Sequence, residues 1–256
     1  MEQLTIIKVG GKIVEDEASL TRLIADFSAL PGNKILVHGG GRSATKIAAD
    51  LGVETKMVDG RRITDEAMLK VVTMVYAGLV NKNIVAKLQA QGINSIGLTG
   101  ADADVIRSHK RPVGAVDYGF VGDVEKCNGA FLDNLLKHGI VPVMAPLTHD
   151  NKGNMLNTNA DTIAAETAKA MAEFYEVTLV YCFEKKGVLK DENDDDSVIR
   201  HINSDIFRSL VDEGVVSGGM IPKLQNAIDA IDKGVSRVII TKADAIDGNQ
   251  GTIIEK

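Results

Sequence analysis

Six short runs rich in β-branched and aliphatic residues alternate along the chain with stretches of helical period: Thr5 to Val9, Lys34 to His38, Ser95 to Thr99, Ile140 to Ala145, Val177 to Cys182 and Val238 to Thr241. Runs of this kind read as strands buried on both faces, and their alternation with helices requires an α/β fold with a mainly parallel sheet. Helical period is plain from Ala18 to Leu30, with Leu20, Leu23, Ile24 and Phe27 on one face. It is equally plain over the unusually long stretch Asp65 to Gln91, where Met68, Val72, Val75, Leu79 and Val80 form the expected stripe. Asp102 to Asn128 lacks that period and carries Gly114, Gly119 and Gly122, so a strand and hairpin excursion beside the main sheet is expected.

Charge and apolar patterning exclude several partners. Acidic residues outnumber basic ones 35 to 29, giving a net charge of −6, and no Lys/Arg cluster stands out, so neither nucleic acid nor an anionic membrane is expected as a partner. The longest apolar stretch, Ile140 to Leu147, falls far short of the ~18 residues that span a bilayer. Lys8 and Lys12 interrupt the N-terminus before a signal-peptide core can form, and two cysteines allow one bridge at most. A cytoplasmic protein is expected. The acidic run Asp191-Glu192-Asn193-Asp194-Asp195-Asp196 fails the calcium-loop pattern, with Asp196 where Gly is needed and Ile202 where Glu is needed, and reads as a solvated loop.

The chemistry gathers at glycines. The first strand runs into Lys8-Val9-Gly10-Gly11-Lys12; glycines there let backbone N–H groups approach a phosphate, although a tight turn alone also accounts for them. The second strand ends in His38-Gly39-Gly40-Gly41 before a helix, an anion or carboxylate cradle. Gly39, Gly41 and Ala44 also satisfy a G-x-G-x-x-A dinucleotide fingerprint, with Asp59 as ribose-binding acid, which keeps an NAD-dependent dehydrogenase as an alternative. In Asn157-Thr158-Asn159-Ala160-Asp161, Asn159 is a helix cap and Asp161 a first-turn acid, leaving Asn157 without a structural role. In Ser217-Gly218-Gly219-Met220-Ile221-Pro222-Lys223 a lysine occupies the first turn of a helix, where the dipole is already positive, a misfit that a bound anion would relieve. The Walker, zinc-protease and G-x-S-x-G patterns are absent. Two lysines at glycine turns and an aspartate at a helix start suit phosphoryl transfer.

Together with Gly60-Arg61-Arg62-Ile63-Thr64 and Gly78-Leu79-Val80-Asn81-Lys82, these segments resemble, in order and over nearly the whole chain, the amino acid kinase family, in particular the branch that phosphorylates N-acylated glutamate in arginine biosynthesis. The resemblance implies one domain over residues 1–256 with a three-layer α/β/α sandwich. Its N-lobe, to about residue 174, would bind the acylglutamate and dimerise; its C-lobe, from about 175 to 256, would bind ATP with Mg²⁺ carried mainly by the phosphates. It implies catalytic roles for Lys8, Lys223 and Asp161, nucleotide contacts for Gly10, Gly11 and Gly219, and substrate contacts for Gly40, Gly41, Arg62 and Asn157.

Three departures from the family pattern stand out. Tyr181-Cys182-Phe183-Glu184-Lys185-Lys186-Gly187 replaces a Ser/Thr-Asp-Val segment beside the nucleotide, which keeps a catalytically dead acylglutamate or arginine sensor as a second alternative. The first strand begins within a few residues of Met1, whereas the arginine-inhibited branch has an extra N-terminal helix, so a homodimer without that allosteric site is expected. Arg61 stands where the acylglutamate-phosphorylating members usually have leucine; a second guanidinium beside the pocket either points into water or suits an N-succinyl group, which carries one carboxylate more than N-acetyl.

Overall fold

β1 (Gln3–Val9) shows how the sheet divides the molecule, because alternate side chains enter different layers. Leu4 and Ile6 join one apolar core, and Ile7 and Val9 join the other. The computed structural model describes residues 1–58, 60–191, 193–216, 218 and 220–256. After β1 come helices α1 (Gly11–Glu15) and α2 (Glu17–Ala29), strand β2 (Asn33–His38), helix α3 (Gly41–Asp50) and the hairpin β3 (Met57–Val58) and β4 (Arg61–Arg62). Then follow α4 (Glu66–Val72), a π-helical segment Thr73–Val80, α5 (Asn81–Ala90), β5 (Ser95–Leu98), β6 (Ile106–Lys110), β7 (Gly122–Cys127) and α6 (Gly129–Lys137). The chain continues through β8 (Val141–Met144), β9 (Leu147–His149), β10 (Met155–Asn157), α7 (Ala160–Met171) and β11 (Glu176–Phe183). It closes with β12 (His201–Ile202), α8 (Ser204–Asp212), α9 (Met220–Asp232), β13 (Arg237–Lys242) and β14 (Thr252–Ile254).

The main sheet has the order β12-β14-β13-β11-β1-β2-β8-β5 and is parallel except where β13 meets β14. All six expected strands lie in it; β12 and β14, too short to stand out in the sequence, are added at one edge. Residues of α6, α7, α8 and α9 pack on one face, and residues of α2, α3, α4 and α5 on the other. This is the three-layer α/β/α architecture. The expected excursion is also present, with β6 and β7 antiparallel in a four-stranded sheet β10-β9-β6-β7.

Two expectations are corrected. The segment after α3 forms the small β3–β4 hairpin outside the main sheet, where a dinucleotide fold needs a second parallel strand, so the fingerprint at Gly39, Gly41 and Ala44 is a coincidence of glycines. Asp59 lies outside the described residues. The long helical stretch is present from Glu66 to Ala90, but Leu79 is 50% exposed whereas Met68, Val72, Val75 and Val80 are buried. The π segment bonds i to i+5, so its wider turns rotate Leu79 out of the stripe that α-helical spacing assigns to it.

Candidate active site

Parallel pairing sets Val9 beside both His38 and Cys182, so the turns after β1, β2 and β11 emerge together at the carboxyl edge of the sheet. The two glycine turns touch. A Cβ on Gly39 would lie 3.1 Å from the Gly11 nitrogen, and one on Gly11 would lie 3.4 Å from the Gly41 nitrogen. A side chain at Gly39 would push the two turns apart by a few tenths of an ångström. Gly10 and Gly40 are the N-caps of α1 and α3, and neither helix start receives a capping side chain. By contrast α2, α4, α6, α7 and α8 are each capped by an Asp or Asn. The uncapped starts leave N–H groups for a ligand.

Strand alternation places Lys8 on the face of Ile6, and Tyr181 and Phe183 on the face of Leu179, which is the layer of α7 and α9. There Lys8 Nζ lies 2.6 Å from Asp161 Oδ1, with little of either side chain exposed. Asn159 accepts a hydrogen bond from the Asp161 N–H at 2.7 Å, which holds the first turn of α7 as its cap. α9 begins at Met220, which puts Lys223 in its first turn. Lys223 makes no ion pair among the described residues; its ammonium sits over the Phe183 ring, 4.0 Å from the centroid. Lys8 approaches the same ring at 5.3 Å. Desolvation lowers the Lys223 pKa and nearby Lys8 lowers it further, while Asp161 opposes both. Gly10, Gly11 and Lys223 line a cavity of about 1280 Å³. Glu184 bridges part of its lining, 3.1 Å from Lys12 and 3.6 Å from Arg42. Gly219 lies outside the described residues.

A smaller cavity of about 270 Å³ adjoins Lys8 and Asp161 and is lined by Gly40, Gly41, Arg61, Arg62 and Asn157 among others. Arg62 is buried; its Nη2 donates to Gly41 O at 2.8 Å and to Thr45 Oγ1 at 2.9 Å. Asn157, to which helix capping assigns no role, donates from Nδ2 to Thr64 Oγ1 at 2.9 Å. Arg61 is exposed and makes no hydrogen bond or ion pair among the described residues, whereas Arg111 on the same cavity is paired with Asp123 at 2.5 Å.

Sequence reasoning missed three contributors. Tyr76, in the π segment, packs so closely on Gly40 that a Cβ there would lie 2.8 Å from its Cδ1. His38 is wholly buried and its imidazole is pushed down to about 4, chiefly by desolvation. In that neutral form Nδ1 donates to Gly39 O at 2.7 Å and Nε2 accepts from Asn81 Nδ2 at 3.1 Å. Phe183 is the third. A histidine directly before three glycines was a visible signal; the π turn and the seat of Phe183 had none.

Comparison with known proteins decides among phosphate-binding folds: the model of the amino acid kinase family matches residues 3–242. The chain belongs to that family. Relatives of this amino acid kinase include the acetylglutamate kinase of Phocaeicola vulgatus, 70% identical over 255 residues, covering 100% of this chain and 99% of that protein. The acetylglutamate kinase of Bacteroides thetaiotaomicron is 68% identical with the same coverage. Among solved structures, smu.665 from Streptococcus mutans UA159 has a TM-score of 0.80 at 28% identity, with 98% of each chain covered.

Proposed function

We propose that this enzyme transfers the γ-phosphoryl group of ATP to the γ-carboxylate of N-acetyl-L-glutamate, forming an acyl phosphate in arginine biosynthesis. Full-length relatives of that name support the reaction, and the observation that carries it is the convergence of Lys8 and Asp161, on the smaller cavity, with Lys223, on the larger, the two lysines meeting over the Phe183 ring. The acceptor carboxylate is ionised at neutral pH, so no general base is needed. Lys8 and Lys223 neutralise charge on the transferring phosphoryl group, Asp161 holds Lys8 in place, and the Gly10–Gly11 turn presents N–H groups to the phosphates. Gly40, Gly41, Arg62 and Asn157 receive the acylated glutamate, with the Arg62 fork suited to a carboxylate. The intact Lys8–Asp161 pair favours a working kinase over a catalytically dead sensor.

Magnesium fits the site as a passenger on the nucleotide. Among the described residues no group of three or more His, Cys, Asp or Glu side chains could hold a metal, and Asp161 is already paired with Lys8. A hard cation prefers phosphate oxygens and would supply further neutralisation of their charge. A homodimer in the cytoplasm completes the reading. Exposed Met74 and Leu79 on the π segment and Ile96 on the edge strand β5 support association, and no described helix is long and apolar enough to cross a membrane.

One observation favours a second acyl group. Arg61 on the smaller cavity, whose side chain makes no ion pair among the described residues, suits the extra carboxylate of N-succinyl-L-glutamate. A hydroxamate assay for acyl phosphate, with ATP and each acylglutamate, tests both readings. Product with neither would end the kinase assignment, and a preference for N-acetyl that Arg61→Leu leaves unchanged would end the succinyl one.

A further inference from the structure

Phe183 presents its ring to the larger cavity beside Lys223, in a lining that also holds Gly10, Gly11, Met220 and Ile240. It is only partly buried, at the margin of the core that holds Leu179 and Tyr181. Its position is nevertheless closely determined. The ring stacks on Tyr181 with centroids 6.0 Å apart and planes inclined by 16°. The Tyr181 hydroxyl donates to the Asp161 carbonyl oxygen at 3.2 Å. The Asp161 carboxylate meets Lys8, and Lys8 comes back over the Phe183 ring. These contacts close a loop through β1, β11 and the first turn of α7, and Lys223 joins it from α9 by resting on the same ring.

We propose that Phe183 is a positioning residue for phosphoryl transfer, its ring holding the ammonium groups of Lys8, on the smaller cavity, and Lys223, on the larger, converged before nucleotide binds. Two ammonium groups brought together, Lys8 buried and Lys223 partly so, repel one another, and of the two only Lys8 forms an ion pair among the described residues. The negative face of an aromatic ring offers Lys223 a counter-field without a competing anion. A carboxylate in the same place would pair with Lys223 and have to be displaced by phosphate; a ring attracts the cation more weakly and leaves it free to turn to the incoming charge. This inference rests on the kinase reading, whereas the ring contact itself can be tested without it.

The test compares Phe183→Leu, Phe183→Met and Phe183→Tyr in the full chain, with thermal melts to establish that each is folded. With ATP and N-acetyl-L-glutamate, the two ring-free variants should lose about tenfold in kcat with each KM within about twofold, and Phe183→Tyr should recover most of that loss. Lysine-selective NMR of the free enzyme should show Lys223 ε-methylene protons shifted upfield by the ring current, and the shift should vanish in Phe183→Leu and Phe183→Met. Wild-type kcat in a ring-free variant, equal impairment of Phe183→Tyr, or no upfield lysine signal would each overturn the proposal. An inactive wild type would instead remove the kinase reading and leave the lysine signals to decide the ring contact.

Discussion

Lys8 Nζ and Asp161 Oδ1 meet at 2.6 Å between the central strand and the first turn of α7, residues 153 positions apart in sequence brought together by a single strand–helix contact. Converting Asp161 to Asn would leave the Lys8 ammonium largely buried without a counter-charge. Asp161→Asn should lower stability by on the order of 2 kcal/mol, between the values for exposed and buried pairs. Denaturant melts at pH 7 measure it, and an unchanged midpoint would mean that the pair contributes nothing.

Lys8→Ala and Lys223→Ala should each reduce kcat by about 10²- to 10³-fold, the cost of losing a group that acts on charge developing in the transition state. KM for the acylated glutamate should move far less. Steady-state kinetics on both variants would reject the assignment if turnover were retained.

Arg62→Lys should weaken acylglutamate binding strongly, because one ammonium cannot reproduce the two-pronged hold on a carboxylate. The same fork now bonds Gly41 O and Thr45 Oγ1, so the start of α3 should loosen as well. Calorimetry with acylglutamate and with a non-hydrolysable ATP analogue separates the two ligands; equal losses for both would contradict a substrate-side role.

Gly40→Ala should destabilise the fold by about 1 to 3 kcal/mol, the usual cost of forcing an extra methyl into a packed site. The clash is with the Tyr76 ring, so Tyr76→Leu in the same chain should recover part of the loss. Thermal midpoints of the two single variants and the double variant test the coupling, and strict additivity would place the strain elsewhere.

His38 makes the fold sensitive to acid. Its folded pKa of about 4 lies below the unfolded value of 6.5, so between them the unfolded chain binds more protons and stability falls as pH falls. The loss should be about 2 kcal/mol between pH 7 and pH 5, and His38→Asn should flatten that slope. Urea midpoints across this range would expose an error if the variant kept the full dependence.

The strands, the glycine turns and the lysines beside them were legible in the chain because each is a local pattern: a short continuous apolar run, glycines between a strand and a helix, a cation at the wrong end of a helix. Asn159 and Asp161 were legible for the same reason, since a cap and its helix are neighbours in sequence. Tertiary structure alone decided that Leu79 points outward, that Asn157 reaches Thr64, that Tyr76 closes on Gly40, that His38 donates to the Gly39 carbonyl and accepts from Asn81, and that Phe183 lies beneath two lysines. Most of these contacts join residues from separate strands and helices whose adjacency depends on the order of strands in the sheet. That order is set by the summed burial of two apolar cores, to which no single segment holds the key. Leu79 differs, because a wider helical turn costs too little, and changes composition too little, to leave a mark in the residues that adopt it.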